Sequence, residues 1–137
     1  MNIQDVLAEI REDFDLFDDP RDKFAQLMDI GKQAPEFNPA DRREENRVIG
    51  CSSQAWLVWQ KHDDGTFSFQ ADSDAHIVKG LLTILTRIFE GESAAQIQSI
   101  SGNEIFSAIG LEGTITSQRT NGFMSALRKI QMEITKV

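Results

Sequence analysis

One stretch of the chain alternates like β-structure. Ala55-Trp56-Leu57-Val58-Trp59 is short, aromatic and β-branched, Asp64-Gly65 is a hairpin turn signal, and Phe67, Phe69 and Ala71 alternate with Ser68 and Gln70. The pattern predicts a strand over residues 54–61 with both faces largely covered, paired antiparallel with a second strand from residue 67. A sheet this small has to bury a face against other elements, and the remaining apolar residues recur at helical spacing.

Ile3, Val6, Leu7, Ile10, Phe14 and Phe17 recur at three and four, which predicts an amphipathic helix over 3–17 with an acidic outer face. Asp19-Pro20 reads as an N-cap and first helical position, and Phe24, Leu27 and Met28 lead to Gly31 as the expected left-handed stop of a second helix. Residues 33–45, with Pro35 and Pro39, read as a loop. After the hairpin, Asp72-Ser73-Asp74 supplies helix-start chemistry for a stripe of Ile77, Leu81, Ile84, Leu85 and Ile88 that stops at Gly91. Gly80 inside that helix costs about 1 kcal/mol against alanine, which points to close approach of another backbone. Ser93-x-x-Gln96 and Ser101-x-x-Glu104 fit capping boxes of two short helices, the second stopping at Gly110. Phe123, Leu127, Ile130 and Ile134 mark a C-terminal helix from about Ser117. The expected fold class is α+β, one domain over 1–137 with a small antiparallel β-sheet flanked by helices.

With 14 basic against 22 acidic side chains, the formal charge is −8, which argues against a nucleic-acid partner because phosphate binding needs clustered cations. No apolar run approaches the roughly 18 residues of a membrane span, and the first residues lack a signal-peptide pattern, so a soluble, cytoplasmic protein with no membrane partner is expected. The single cysteine limits the chemistry most. It excludes an internal disulfide and any multi-cysteine metal or cluster site, so sulfur chemistry here has to use another protein's sulfur.

That residue, Cys51, lies between Gly50 and Ser52-Ser53, in a loop entering the first strand, where small residues leave a side chain accessible and mobile. The position favours a reactive thiol over a buried, hydrophobe-like cysteine. No His or Lys adjoins it in sequence, although converging loop N–H groups would stabilise a thiolate or persulfide. A Cys-dependent hydrolase or thiol oxidoreductase using Cys51 with His76 is the alternative; it needs an imidazole brought to the thiol by tertiary packing. Both His62 and His76 otherwise read as solvated or capping residues. Asp72, Asp74 and His76 do not fall on one face, so no metal site is expected. Arg119 sits in the first turn of the last helix, against the helix dipole, so it is either paired with an acid or held for an anionic partner. Trp56 and Trp59 fall on opposite strand faces, one of them free to meet a partner.

Three motifs in order give a more specific reading. Gly50-Cys51-Ser52-Ser53-Gln54, then Asp72-Ser73-Asp74-Ala75-x-Ile77-Val78-Lys79-Gly80-Leu81, then Arg119-x-x-Gly122 resemble the SufE family of sulfur acceptors, across nearly the whole chain. Two positions depart from the family pattern: Ser52 stands where Gln is usual, and Ser117-Gln118 where Pro-Ser is usual. The resemblance implies the fold shared by SufE proteins and the IscU cluster scaffolds, with Cys51 at a loop tip, sheltered by apolar residues until a partner docks. It implies that Cys51 takes the terminal sulfur of a persulfide on a cysteine desulfurase (SufS- or CsdA-like), so activating that enzyme, and hands it to an iron–sulfur scaffold complex. Gly50, Ser52, Ser53 and Gln54 would shape the active loop, and Asp74, His76 and Arg119 would border the docking surface. The protein would need no cofactor of its own, since the pyridoxal phosphate belongs to the desulfurase. The SufE and CsdE branches share these motifs.

Overall fold

The computed structural model describes residues 2–51, 53–111 and 113–136. Among these residues, six α-helices accompany one two-stranded antiparallel sheet: α1 (Ile3–Asp15), α2 (Pro20–Lys32), β1 (Ala55–Lys61), β2 (Phe67–Ser73), α3 (His76–Phe89), α4 (Ala94–Gln98), α5 (Gly102–Ile109) and α6 (Ser117–Ile134). The fold is α+β, as the sequence pattern predicts. Two 3-10 turns, Pro39–Asp41 and Glu44–Asn46, interrupt the loop between α2 and β1.

The local signals explain most element ends. Asn2 and Asp5 form a reciprocal capping box on α1, and Asp19 accepts from the Arg21 N–H at 2.9 Å ahead of Pro20. Ser93 and Gln96 form the expected capping box of α4. The one expected at α5 is half made, with Ser101 Oγ accepting from the Glu104 N–H while the Glu104 carboxylate meets the Ser101 hydroxyl instead of its backbone N–H, and Gly110 closes α5 with a left-handed φ of 76°. α1 ends at Asp15, two residues short of the expected 17, because Leu16 is 80% exposed and adds nothing to the buried stripe of Ile3, Leu7, Ile10 and Phe14.

Three expectations are corrected. Gly31 does not stop α2; it lies inside the helix, where its bare backbone meets α3. Asp72 and Ser73 belong to β2, and the N-cap of α3 is Ala75 with no side-chain cap bond. β1 is not covered on both faces: Ala55 and Leu57 are buried, Trp56 and Val58 are half-buried, and Gln60 is exposed.

The core is organised around α3, nine of whose 14 residues are buried. β2 and α2 both pack on it, with α1 and α6 also against it. The approach of α2 is backbone to backbone. A Cβ on Gly31 would overlap the carbonyl oxygen of His76, and one on Gly80 would overlap that of Leu27. This is the close contact that a glycine at position 80 implied. In the sheet, Trp59, Phe67, Phe69 and Phe89 form a chain of ring contacts at 5.6–6.2 Å, continuing the core from β1 to the end of α3.

At the α2–α3 crossing a methyl group would have to displace backbone, an overpacking cost of order 3 kcal/mol. That exceeds the about 1 kcal/mol that alanine gains over glycine in helix propensity. Gly80→Ala is therefore expected to lower the unfolding free energy by about 2 kcal/mol in a urea titration; an unchanged midpoint would mean that the crossing relaxes at no cost.

Candidate functional site

The loop that carries Cys51 is closed at its neck by two sets of backbone bonds. On one side the Val48 N–H donates to the Ala55 carbonyl at 2.9 Å, and Arg47 bridges to Trp56, so residues 47–48 pair with the start of β1. On the other, Asp74 holds Gln54 twice: its Oδ1 accepts from the Gln54 N–H at 3.1 Å, and its own N–H donates to the Gln54 carbonyl at 3.1 Å. Ser73 Oγ donates to the same carbonyl at 2.8 Å. Residues 49–51 and 53 thus belong to a short tip on a fixed base. Ser52 lies outside the described residues.

The tip is laid along α6. Gly50 has φ +94°, a left-handed conformation that side chains disfavour, and a Cβ there would come within 2.8 Å of Ser125 Oγ. One turn earlier on α6, a Cβ on Gly122 would stand 2.8 Å from Cys51 Sγ. The missing side chain at 122 is therefore the seat of the thiol. Cys51 is half-buried and packs against the hydrophobic core, so the sulfur is sheltered in this state. The seat is backed by the core: Phe123 beside it is buried and packs edge-on with Phe106 of α5 at 4.7 Å.

The structure divides the remaining candidates. Gly50, Gln54 and Asp74 join Cys51 through the loop and its neck, and Ser53, half-buried, completes the tip. The Gln54 N–H is engaged by Asp74 and is not free to receive a sulfur anion. Arg119 is half-buried in the first turn of α6, three residues before Gly122, which places its backbone about 4.5 Å along the axis from the thiol's seat. It forms no salt bridge with a described residue. His76 is exposed at the first position of α3, where its carbonyl faces α2, and no hydrogen bond joins either histidine to Cys51. His62 is instead 2.6 Å from Ser68 Oγ, which donates to Glu90 at 2.7 Å. The Cys-His pair that a hydrolase needs is therefore not assembled in this state.

Asp72 has a role that sequence reading missed. It is 3% exposed and holds two cations, Arg42 Nε at 2.7 Å and Lys79 Nζ at 3.2 Å, while the Arg42 guanidinium lies 5.9 Å from the Trp56 ring centre. This cluster ties the long loop to the sheet and to α3. Asp72 and Asp74 are both occupied by protein donors, and among the described residues no three His, Cys, Asp or Glu side chains group as metal ligands. Gly122 was within reach of sequence reasoning, because a glycine beside a buried stripe in a helix carries the same propensity cost that marked Gly80. Ser125 carried no such signal.

The family model "SufE: Fe-S metabolism associated domain" matches residues 8–134. An uncharacterized SufE-like protein of Rhizobium etli is 41% identical over 130 residues, spanning 93% of this chain and 88% of that protein. Another, from Rhizobium meliloti, is 40% identical over 130 residues and 93% of each chain. The solution structure of a hypothetical protein from Thermus thermophilus has the same fold, with a TM-score of 0.75 at 22% identity over 96% of this chain and 94% of that one.

The seat at Gly122 makes a direct prediction. In Gly122→Ala the added methyl group displaces the sulfur, so the Cys51 thiol should react several-fold faster, about fivefold, with an aromatic disulfide reagent as shelter is lost. A rate equal to that of the unaltered protein would show that the loop does not rest on α6 in solution.

Proposed function

Because the chain belongs to the SufE family, whose domain is associated with iron–sulfur metabolism, we propose that it is a sulfur carrier loaded at Cys51 by a cysteine desulfurase. The observation that carries this reading is the placement of the chain's one thiol, on a short tip with a fixed neck, half-covered by its own helix. A lone thiol has no second sulfur within the molecule to close a disulfide with, so its exchange chemistry is confined to a partner's sulfur.

In the proposed step the Cys51 thiolate attacks the terminal sulfur of the donor's persulfide. The new bond joins Cys51 Sγ to that sulfur, the donor's sulfur–sulfur bond breaks, and the donor cysteine leaves as a thiolate. Cys51 thiolate plus donor persulfide gives Cys51 persulfide plus donor thiolate, with no net oxidation and no further reactant. Removing the sulfur frees the desulfurase cysteine for another turnover, so the carrier stimulates its partner without catalysing a reaction on a small substrate. Pyridoxal phosphate chemistry belongs to the desulfurase, and the carrier holds no cofactor. A second exchange of the same kind hands the sulfur to an iron–sulfur scaffold. All of this takes place in the cytoplasm.

The neck and the seat fit such a cycle. The neck keeps the base of the loop fixed while the tip, held on α6 by small residues with no hydrogen bond to the sulfur from a described residue, swings outward to the donor. Gly50 permits the turn, Ser53 and Gln54 shape the tip, and Asp74, His76 and Arg119 border the surface around it.

After incubation with a cysteine desulfurase and free cysteine, intact mass should rise by about one sulfur, roughly 32 Da, reversibly on reduction, with no rise in Cys51→Ser. No gain with a desulfurase shown to bind the protein would overturn the carrier reading for that pair.

A further inference from the structure

A groove of about 410 Å³ runs from the Cys51 loop along α6, lined by Arg47, Ile49, Ser125, Arg128, Met132 and Lys136, with Lys129 and Glu133 at its wall. Its composition is opposite to that of the molecule as a whole. Four cations line it in a chain whose formal charge is −8. Its one carboxylate is already engaged: Glu133 accepts from Lys129 at 2.5 Å and from the Trp59 indole N–H at 2.8 Å. Arg47 is offset only by Glu44, at 3.5 Å and itself 84% exposed, while Arg128 and Lys136 form no salt bridge with a described residue. The groove also holds two of the four large apolar side chains that are exposed among the described residues, Ile49 at 73% and Met132 at 57%. It is continuous with the thiol's seat, because Ser125 lines the groove and lies beneath Gly50, and Ile49 is two residues from Cys51.

Resting on the carrier reading, we infer that this groove docks an acidic segment of the sulfur-donating desulfurase that carries an apolar side chain, seated on Ile49 and Met132. Charge complementarity selects the segment's sign. The exposed carboxylates of α1, of the turn after it and of the start of α2, namely Glu12, Asp13, Asp15, Asp18 and Asp22, repel the same segment, so its attraction is left to the groove. The donor is chosen over the receiver because the sheltered thiol has to leave Gly122 before it can attack the donor's sulfur. Contact with Ile49 acts on the loop itself, so docking and release of the thiol are coupled.

The test uses the full chain and a pyridoxal phosphate cysteine desulfurase. Binding is measured by calorimetry at low and high salt, and loading by intact mass. Arg128→Glu with Lys136→Glu should weaken binding about tenfold and flatten or reverse its salt dependence, with loading slowed in step. Met132→Gln, which leaves charge unchanged, should also weaken binding several-fold. The Cys51 reaction with a small aromatic disulfide should stay unchanged in both, which with a native circular dichroism spectrum shows that fold and thiol are intact. Arg21→Glu with Lys61→Glu, the same change in net charge at the start of α2 and the far end of β1, should bind as the unaltered protein does. If the unaltered protein loads and the groove variants bind the desulfurase equally well, the groove is not the docking site. Equal weakening by the control pair would reduce the effect to net charge and overturn the site. The proposal also falls if the groove variants change only self-association, seen by sedimentation, or only transfer to a scaffold. No loading of the unaltered protein by a desulfurase that binds it would overturn the carrier reading itself.

Discussion

Everything in this fold leans on α3, and α3 can be buried so fully only because a neighbouring helix approaches it backbone to backbone. Gly31 and Gly80 remove the side chains that would hold α2 away. With that crossing closed, β2 and α6 also pack against α3, and the buried apolar residues of a 137-residue chain gather in one core cluster. The site inherits its position from this packing. β2 runs straight into α3, so the short connection at Asp74 is fixed at both ends, and Asp74 in turn fixes Gln54 at the base of the reactive loop.

In the proposed carrier role, the thiol would face two conflicting requirements. It has to be shielded from small oxidants and disulfides, yet has to reach a partner's sulfur. Here the conflict is divided between a firm neck and a weakly held tip. The neck uses backbone and carboxylate hydrogen bonds, which are directional and resist displacement. The tip rests against α6 through the absence of side chains at Gly122 and Gly50, and among the described residues no hydrogen bond holds the sulfur, so little has to be broken to lift it. Shelter of this kind comes from shape rather than from bonding.

The second motif, Asp72 to Leu81, gains a physical meaning from the structure. Asp72 gathers Arg42 and Lys79, Asp74 anchors the loop, and Gly80 admits α2. Three of its residues therefore support the site from behind. The histidine within it, His76, lends its carbonyl to the helix crossing, and its ring has no hydrogen bond to the thiol. An acid near a helix start reads in sequence as a cap, and only the strand register, with Asp72 paired to Trp56 inside the sheet, shows that it serves the sheet instead.

The helical stripes, the hairpin, the Ser93–Gln96 capping box and the α+β class were legible in the sequence because each depends on residues within a few positions of one another. Cys51 stands out there as a candidate, since a count of one thiol limits sulfur chemistry whatever the fold. Gly31 misleads for the same reason: a glycine after an apolar stripe looks like a local stop, and its partner, the His76 carbonyl, lies 45 positions away in the chain. What tertiary structure alone decided was the meeting of distant segments: Gly122 beneath Cys51, Arg42 on Asp72, and Ile49 beside Met132 in a cationic groove. Local pattern records what a residue does to its own backbone. Which surfaces meet across the core depends on the summed packing of all the helices, and no short stretch of sequence contains that sum.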